Sequence, residues 1–400
     1  MGWIRFTPSD LYCAATAIAV AQLYSDFKFW RLLRREVASP PPGPAKALPA
    51  TLIIPCKGAG EGFDANVRAL LDQDYPGELE LLFVTPSESD PAFARLKDAL
   101  SGNPRARVLA SGAVPTRSSG KIVDLFFALD RAAPGSEVLL FADADIRVPR
   151  TWSRDMAAAL DDPEVVIATS ALLYVPERKG LWNFLRLVWM GIGVPYAVHM
   201  ECVTGQSIAM RRKDFSDLGV RSIWERSLME DMALAAAARG WSRKIRFVGR
   251  AMPVATDGCG AREFFGVFNK WMRCFRVYDF RFWSMGALLI LAKIWILTWG
   301  VRHPEPWLLA YFAAAESLNL YVVFWTYSRL LPDRFTGIHP AYRNFPLLAS
   351  LCWPALLVIW VVNWMSSMWS NDIHWGGVHY RLHGPDEVEI IGRQRAGGGS

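Results

Sequence analysis

Apolar and polar positions divide the chain into a central region of short apolar runs and a C-terminal region of long ones. In the central region, runs typical of buried strands alternate with segments of helical spacing. This alternation predicts an α/β domain over 50–260, with a mostly parallel sheet and helices on both of its faces. The predicted strands span 51–54, 80–85, 107–110, 137–142, 165–169, 204–211 and 244–248, and the clearest helices span 64–72, 121–133 and 229–239.

Three long apolar stretches, 283–301, 306–327 and 345–369, dominate the C-terminal region. Each has the length needed to cross the hydrocarbon core of a bilayer, so we predict a membrane region over 284–370. The segment before it, 261–283, mixes aromatic and basic residues at helical spacing. This pattern predicts an amphipathic helix in the plane of the membrane interface. Arginines between the second and third stretches favour the cytoplasmic side for that connection.

The path of the third stretch decides where the C-terminal tail, 371–396, lies. If all three stretches cross, the tail and the α/β domain lie on opposite sides of the membrane. Pro354 interrupts the third stretch and Asn363 dilutes its apolar character. Our preferred prediction is therefore a re-entrant or interfacial segment, which returns the tail to the side of the α/β domain.

The N-terminal part has one apolar run, 11–24, followed by aromatic and basic residues as far as Arg35. Positive charge after the apolar run is the reverse of a secretory signal peptide, so we predict a membrane anchor helix with a cytoplasmic basic flank over 1–37. A buried helix of a soluble domain is the alternative. The Pro-rich segment 38–49 predicts an extended linker, and the Gly-Gly-Gly-Ser at 397–400 resembles an appended linker.

Composition narrows the class of protein. A hydrophobic content of 52% with 18 tryptophans agrees with a membrane part, and a net charge of +6 without a dense Lys/Arg tract does not indicate a nucleic-acid partner. The six cysteines are scattered without a C-x-x-C, which predicts neither a zinc site nor a disulfide framework and fits a reducing, cytosol-facing domain. Ile122 follows Gly120-Lys121 where a P-loop has Ser or Thr, which excludes that motif.

Two carboxylates, Asp143 and Asp145, directly follow the predicted strand 137–142. In parallel α/β sheets, ligands bind at the carboxyl ends of the strands. Two carboxylates at that point can hold a divalent cation such as Mg²⁺ or Mn²⁺, which in turn can hold a diphosphate. We therefore predict a metal and sugar-nucleotide site here.

Other charged residues of the α/β domain complete a transferase constellation. Asp64, after the loop of the first strand, is a candidate contact to the base or ribose, or else a helix N-cap. Lys121 is a candidate phosphate ligand, or else a solvated lysine at a helix start. Glu230 and Asp231 begin a helix, where one can serve as general base, although acidic residues also favour a helix N-terminus for its dipole alone.

Basic residues of the predicted interfacial helix supply a counter-charge. Lys270 and Arg273 are candidates to neutralise the diphosphate of a departing nucleotide. Contact with lipid headgroups is the alternative for both side chains.

A series of short motifs in fixed order resembles ceramide glucosyltransferase and its bacterial relatives. That resemblance implies an inverting glycosyltransferase of the GT-A fold, and it extends from about residue 51 to 382. The motifs are Pro55-x-Lys-Gly58, Gln73-Asp-Tyr-Pro76, Ser89-Asp-Pro91, Gly120-Lys-Ile122, Asp143-Ala-Asp-Ile-Arg-Val148, Cys202-Val-Thr-Gly-Gln-Ser-Ile-Ala-Met-Arg211, Glu230-Asp231, Arg239-Gly-Trp241 and Trp375-x-Gly-x-x-Tyr-Arg-Leu382.

The resemblance also implies residue roles in the α/β domain. Asp64 corresponds to the first aspartate of the family, which contacts the nucleotide. Asp143 corresponds to the second, near the metal and donor, and Asp231 to the third, the catalytic base. Asp145 falls where the eukaryotic enzyme has glycine, and so is an additional metal-ligand candidate of this chain.

The (Q/R)xxRW motif of that family is altered here to Lys270-Trp-Met-Arg-Cys274. Arg273 is retained, and Lys270 keeps the charge without the planar fork of a guanidinium. Cys274 lacks the stacking ring of the usual tryptophan, and Trp271 is the candidate substitute.

Together these observations predict transfer of a hexose from a UDP-sugar, UDP-glucose in the first place, to a hydroxyl of a membrane lipid such as ceramide. The expected protein is an integral membrane enzyme of glycolipid biosynthesis, with its catalytic domain on the cytoplasmic face of a bacterial inner membrane. The alternatives are a processive polysaccharide synthase and a non-catalytic membrane scaffold that binds nucleotide sugars.

Overall fold

The computed structural model describes residues 7–39, 48–241 and 243–393. Most of the predicted linker 38–49 and all of the segment 397–400, predicted to be an appended linker, lie outside the described residues. The strands are β1 Ala50–Pro55, β2 Leu79–Thr85, β3 Ala106–Ala110, β4 Val138–Ala142, β5 Val165–Thr169, β6 Leu173–Tyr174, β7 Ser207–Arg211, β8 Lys244–Phe247, β9 Val254–Ala255, β10 Asp372–Trp375, β11 Val378–Gly384 and β12 Glu387–Arg393. The helices are α1 Pro8–Ala38, α2 Phe63–Leu71, α3 Pro91–Ala99, α4 Gly120–Leu129, α5 Trp152–Ala158, α6 Leu181–His199, α7 Arg212–Asp217, α8 Val220–Trp224, α9 Glu230–Gly240, α10 Ala261–Tyr278, α11 Phe280–Arg302, α12 Pro306–Leu330, α13 Phe345–Ser350 and α14 Trp353–Trp369.

The central sheet has the strand order β3-β2-β1-β4-β7-β5-β8. All neighbouring pairs are parallel except those of β7, which is antiparallel to both β4 and β5. The predicted α/β class with a mostly parallel sheet is therefore confirmed, and all seven predicted strands are present with small shifts at their ends.

Both faces of this sheet are covered, which explains why its strands are continuous apolar runs. Leu52 of β1 and Leu140 of β4 belong to one buried cluster, whereas Ile53 and Phe141 belong to the cluster on the opposite face. Two packed faces fix the register of β4, and this fixes the position of the carboxylates that follow it.

Helix α6 was not predicted from the sequence. Its side chains are apolar around most of its circumference, and Pro195 lies within it, so it has no alternating polar face to identify it. Gly191 permits close packing against α12, because a Cβ atom there would lie 2.6 Å from the ring of Phe324. The hydroxyl of Tyr327 donates a hydrogen bond to Gly191 O at 2.7 Å.

In the part of the chain that the structure describes, two helices, α11 and α12, are long and apolar enough to cross a membrane. Helix α1 is a single helix of 31 residues but does not meet this criterion, so the predicted N-terminal membrane anchor is not confirmed. Its first turns nevertheless pack against the membrane-helix candidates, with Leu11, Ile296 and Leu308 in one cluster.

The third predicted apolar stretch is not one continuous helix. It forms α13 and α14, which are separated at Leu351 and Cys352, with Pro354 in the first turn of α14. A proline lacks the backbone N–H that a continuous helix requires, and the first turn of a helix tolerates it. The amphipathic helix is also shorter than predicted, because α10 ends at Tyr278 and the next helix already begins at Phe280.

The C-terminal tail forms an antiparallel sheet of β10, β11 and β12. Ile373, Tyr380 and Leu382 of this sheet are buried in a cluster with Leu228 and Cys274, which lie just before α9 and within α10. The tail therefore packs on the α/β domain, as the preferred prediction for the third stretch required.

Candidate active site

A cavity of about 1240 Å³ extends from the carboxyl ends of the sheet strands to the helices of the C-terminal region. At the sheet its wall is charged, and farther away it is mostly apolar. The charged wall includes Lys121, Asp143, Asp145, Glu230, Asp231 and Lys270, and the apolar wall includes Phe312, Leu320, Leu356, Leu357 and Trp360.

Lys121 joins two carboxylates at the charged end. Its Nζ atom lies 2.5 Å from Asp143 Oδ1 and 2.6 Å from Glu230 Oε1. Ser119 caps α4 by accepting a hydrogen bond from the backbone N–H of Ile122 at 3.3 Å, which fixes the start of the helix that carries Lys121. Burial alone would lower the pKa of Lys121, but the charges of Asp143 and Glu230 outweigh it and raise that pKa. The lysine is a partly buried, ion-paired cation with 16% of its side chain exposed, rather than the solvated lysine of the alternative.

Asp143 and Asp145 leave the end of β4 into the cavity. Burial is the main cause that raises the pKa of Asp143, with Lys121 opposing it. Asp145 is exposed to the cavity, where partial desolvation by the surrounding protein together with the charge of Asp143 raises its pKa to about 6. Two carboxylates so close in a shielded site favour an additional cation.

The carboxylates fit a divalent metal only if other ligands complete the site. Among the described residues, no group of three or more His, Cys, Asp or Glu is arranged to hold a metal ion. Mg²⁺ is commonly bound through one or two carboxylates, with phosphate oxygens and water as the other ligands. Asp143 and Asp145 match that donor set, and Glu230 Oε2 is buried nearby with no hydrogen-bond partner.

Asp231 has the environment of a general base. The backbone N–H of Gly205 donates to its Oδ2 at 2.8 Å, and that of Met232 donates to its Oδ1 at 2.7 Å. Burial and the neighbouring charge of Glu230 raise the pKa of Asp231 to about 7. A carboxylate with a pKa near neutrality can take a proton from a hydroxyl at physiological pH. The helix-dipole alternative accounts for neither the raised pKa nor the position in the cavity wall.

Gly205 is a site residue that the sequence analysis did not single out. A Cβ atom at this position would lie 2.3 Å from Glu230 Oε1, 3.2 Å from Lys121 Nζ and 3.3 Å from Asp231 Oδ2. No side chain fits there without displacing one of these charged groups. Gly205 belongs to the motif Cys202–Arg211, which the sequence analysis identified. The sequence did not reveal that its neighbours in the fold are Glu230, Lys121 and Asp231.

The charged residues of α10 face different parts of the molecule. Lys270 and Trp271 line the cavity, and the ammonium of Lys270 lies 4.6 Å from the ring centre of Trp375. Burial lowers the pKa of Lys270. Arg273 does not line the cavity. Its guanidinium donates to Asp372 O at 2.8 Å and to Ser366 Oγ at 3.1 Å, and so joins α10 to β10 and α14.

Asp64 lies apart from this group of residues. It is 58% exposed, pairs with Arg95 at 2.5 Å and does not line the cavity. The N-cap of α2 is Gly62, so the N-cap alternative for Asp64 is wrong. Asp90 has the closer connection to the site, since its Oδ1 accepts a hydrogen bond at 2.9 Å from the N–H of Gly58 in the cavity wall.

The tail sheet closes the charged end of the cavity. Trp375, Gly376 and Tyr380 line it. The Gly376 carbonyl accepts a hydrogen bond from Lys57, and the Tyr380 hydroxyl accepts one from the N–H of Gly120 at 3.4 Å. These contacts were not predicted, although the tail motif contributed to the resemblance.

A family model described as Glycosyl transferase family 21, the family of ceramide glucosyltransferases, matches residues 13–387. The chain belongs to glycosyl transferase family 21. The match covers the charged cavity wall, the apolar helices and strands β10 and β11 of the tail sheet, so the predicted family and the predicted glycosyltransferase activity are confirmed.

Two solved glycosyltransferases are similar to this family 21 chain. One is the mannosyltransferase PcManGT from Pyrobaculum calidifontis, solved with GDP-Man and Mn²⁺, with a TM-score of 0.47, 15% identity, and coverage of 90% of this chain and 99% of that one. The other is GalNAc-T7, solved with UDP, GalNAc and Mn²⁺, with a TM-score of 0.40, 12% identity, and coverage of 59% of this chain and 50% of that one.

Proposed function

We propose that this family 21 enzyme transfers a hexose from a UDP-sugar, UDP-glucose in the first place, to a hydroxyl of a membrane lipid such as ceramide, with inversion at the anomeric carbon. The observation that carries the proposal is the single cavity whose charged end holds Asp231 and whose other end is lined by apolar side chains of α12 and α14. A lipid in the apolar part would present its hydroxyl at the charged part.

Asp231 is the proposed general base. Two backbone N–H groups orient its carboxylate, and its pKa of about 7 suits removal of a proton from the accepting hydroxyl. As the hydroxyl oxygen gives its proton to Asp231, it attacks the anomeric carbon from the side opposite to UDP, and the bond between that carbon and UDP breaks. Binding of the lipid hydroxyl and the UDP-sugar in one cavity favours this geometry.

Asp143 and Asp145 are the proposed ligands of Mg²⁺ or Mn²⁺. When bound, the metal would supply positive charge to the donor diphosphate. Lys121, Lys270 and Trp271 are the proposed donor contacts of the chain itself, because all three side chains line the cavity. Glu230 orients Lys121 through their ion pair.

Two predicted roles have less geometric support. Asp64 is paired with Arg95 in the structure, so its side chain would have to leave that ion pair to contact the nucleotide. Arg273 as a counter-charge for the leaving UDP requires it to release Asp372 and Ser366. Both roles remain predictions.

We further propose that α11 and α12 cross the inner membrane of a bacterium and that the catalytic domain faces the cytoplasm. A pair of crossings returns the chain to the side on which it began, which agrees with the packing of the tail sheet on the α/β domain. In this arrangement α10 lies at the membrane interface, between the catalytic domain and the membrane helices α11 and α12.

The test is a product assay with full-length protein in detergent, Mn²⁺ or Mg²⁺, UDP-glucose, and ceramide or diacylglycerol. We expect one hexose per lipid by mass spectrometry and a β-linkage by NMR. A long polymer would instead identify a processive polysaccharide synthase. Binding of UDP-glucose without transfer to any lipid or to water would identify a non-catalytic scaffold.

A further inference from the structure

Polar side chains interrupt the apolar part of the cavity where α1 faces α11 and α12. Gln22 and Ser25 of α1 contribute to the wall there, as do Lys293 of α11 and Glu316 of α12. All four are buried, with Gln22 4% and Ser25 6% exposed. Polar groups in such surroundings are costly unless they find hydrogen-bond partners, so their presence needs an explanation.

The orientation of the Gln22 amide follows from a chain of hydrogen bonds. The amide nitrogen of Asn319 donates a hydrogen bond to Asp26 Oδ2 at 2.6 Å, with the carboxylate oxygen as the acceptor. The amide oxygen of Asn319 then accepts from Gln22 Nε2 at 3.4 Å. This sequence of contacts leaves Gln22 Oε1 as the free acceptor, and the hydroxyl of Tyr196, which also has no geometric hydrogen-bond partner in the described ranges, lies beside the same side chain in the cavity wall.

In the described part of the chain, three side-chain atoms of α1 lack a partner here, and one of them, Asp26 Oδ1, belongs to the carboxyl group that Asn319 already contacts through Oδ2. Neither Gln22 Oε1 nor Ser25 Oγ has a hydrogen-bond partner among the described residues. Gln22 Oε1 can only accept, whereas the Ser25 hydroxyl can both donate and accept. A single ligand group that both donates and accepts a hydrogen bond would satisfy the two atoms together.

The charges nearby indicate that this group is neutral. Lys293 is paired with Glu316 at 2.7 Å, so its positive charge is already compensated. Asp26 lies next to Ser25 in the chain, and burial raises the pKa of its carboxyl to about 7, so it supplies no positive charge and only part of a negative one. A phosphate or carboxylate would therefore find no free cation among these side chains to balance its charge.

We propose that Gln22 and Ser25 form a second polar subsite, which binds an amide or a hydroxyl group of the acceptor lipid other than the hydroxyl that receives the sugar. Gln22 Oε1 accepts from the N–H or O–H of that group, and the Ser25 hydroxyl donates to its oxygen. An ester offers no donor and leaves Gln22 Oε1 unpaired. The inference rests on the proposed function, and it assigns acceptor specificity to helix α1.

The experiment measures lipid binding to the full-length protein in detergent without donor. Three fluorescent lipids share one primary hydroxyl and the same chain lengths. Their acyl chain is linked by an amide, by an ester, or by an ester with an added hydroxyl near the linkage. We expect wild type to bind the amide or the hydroxylated lipid about tenfold more tightly than the plain ester, the ratio that one buried hydrogen bond provides.

Variants assign that preference to the subsite. Gln22→Leu should remove the preference without weakening binding of the plain ester, and Ser25→Ala should reduce it. Ile18→Val changes an apolar side chain of the same helix in the same cavity, and it should leave the preference intact. If Gln22→Leu does not fold, the smaller change Ser25→Ala provides the same comparison.

Equal affinity of wild type for the three lipids would overturn the inference, as would a preference that persists in both Gln22→Leu and Ser25→Ala. The amide and hydroxylated lipids show which of the two groups the subsite takes. Failure of sugar transfer to any lipid would instead overturn the proposed function and leave this binding result standing, because binding is measured without donor.

Discussion

At the strand ends, the cavity wall carries carboxylates and lysines in direct contact, whereas between α1, α12 and α14 the same cavity is apolar except for a few buried polar groups. The charged end shifts pKa values and holds groups in fixed geometry, which is the requirement for chemistry. The apolar end offers shape and exclusion of water, which is the requirement for lipid binding. Substitutions at the charged end should therefore reduce turnover, whereas substitutions at the apolar end should weaken lipid binding.

The largest expected effect is that of Asp231→Asn. Loss of the general base should reduce kcat about 10²- to 10⁴-fold, while binding of the lipid at the apolar end stays unchanged. Turnover of UDP-glucose and lipid binding by fluorescence measure the two effects. Asp98→Asn is the control, because this exposed side chain of α3 does not line the cavity, and it should retain most activity. Near-wild-type turnover of Asp231→Asn would contradict the assignment of the base.

The second largest effect is expected from Gly205→Ala. The added methyl group would lie 2.3 Å from Glu230 Oε1, and displacement of this carboxylate would disturb Lys121. Misplacement of catalytic groups by about 1 Å can cost about 100-fold in rate. Gly193→Ala is the control in the same cavity, since a Cβ atom there meets nothing within 4 Å. Equal turnover of the two variants would show that the packing around Gly205 is not required.

Lys270→Ala and Arg273→Ala separate the two basic residues of α10. Lys270 lines the cavity, so its removal should raise the KM for the UDP-sugar about tenfold, the value of one charge-assisted hydrogen bond. Arg273 instead holds the tail, so its removal should lower the melting temperature with a smaller change in KM. Steady-state kinetics and thermal unfolding provide the two readouts. The opposite pattern would restore Arg273 as the counter-charge of the donor.

The smallest effect is a pH dependence. Because Asp231 must be deprotonated and its pKa is about 7, kcat should be half-maximal near that pH and fall on acidification. Its pKa is raised from 3.8 in folding, so the folded state binds the proton more tightly than the unfolded chain. The contribution of this bound proton to the free energy of unfolding is fully present below about pH 4. It is lost as the pH rises to about 7. A kcat independent of pH between 5 and 8 would contradict the prediction.

The sequence predicted the charged end better than the apolar end. Apolar runs identified β4, and its end located Asp143 and Asp145, because a strand buried on both faces has a distinct pattern. Helix α6 was missed because apolar side chains surround it, and the tail strands were missed because glycines interrupt their short alternation. Asp64 and Asp90 both follow early strands, and only the tertiary packing reveals which of them contacts the cavity wall.

The directions in which the basic side chains of α10 point could also not be predicted from the sequence. Lys270 and Arg273 are three residues apart and lie on neighbouring parts of one helical surface. Their directions depend on β10 and α14, which approach α10 from distant parts of the chain. The requirement for glycine at position 205 was also not predictable, because Glu230 and Lys121, which come from other segments, leave no space for a side chain there.

The central claim is that one cavity binds the acceptor lipid at its apolar end and acts on it at its charged end. An acceptor lipid with a photoreactive diazirine in mid-chain, cross-linked to the full-length protein and mapped by mass spectrometry, tests it most directly. The account predicts cross-links to Leu320 and Leu356 in the cavity wall, which an excess of unlabelled lipid abolishes. Cross-links confined to Leu288 and Trp307, which are 69% and 78% exposed on the outer helix surface, would contradict it.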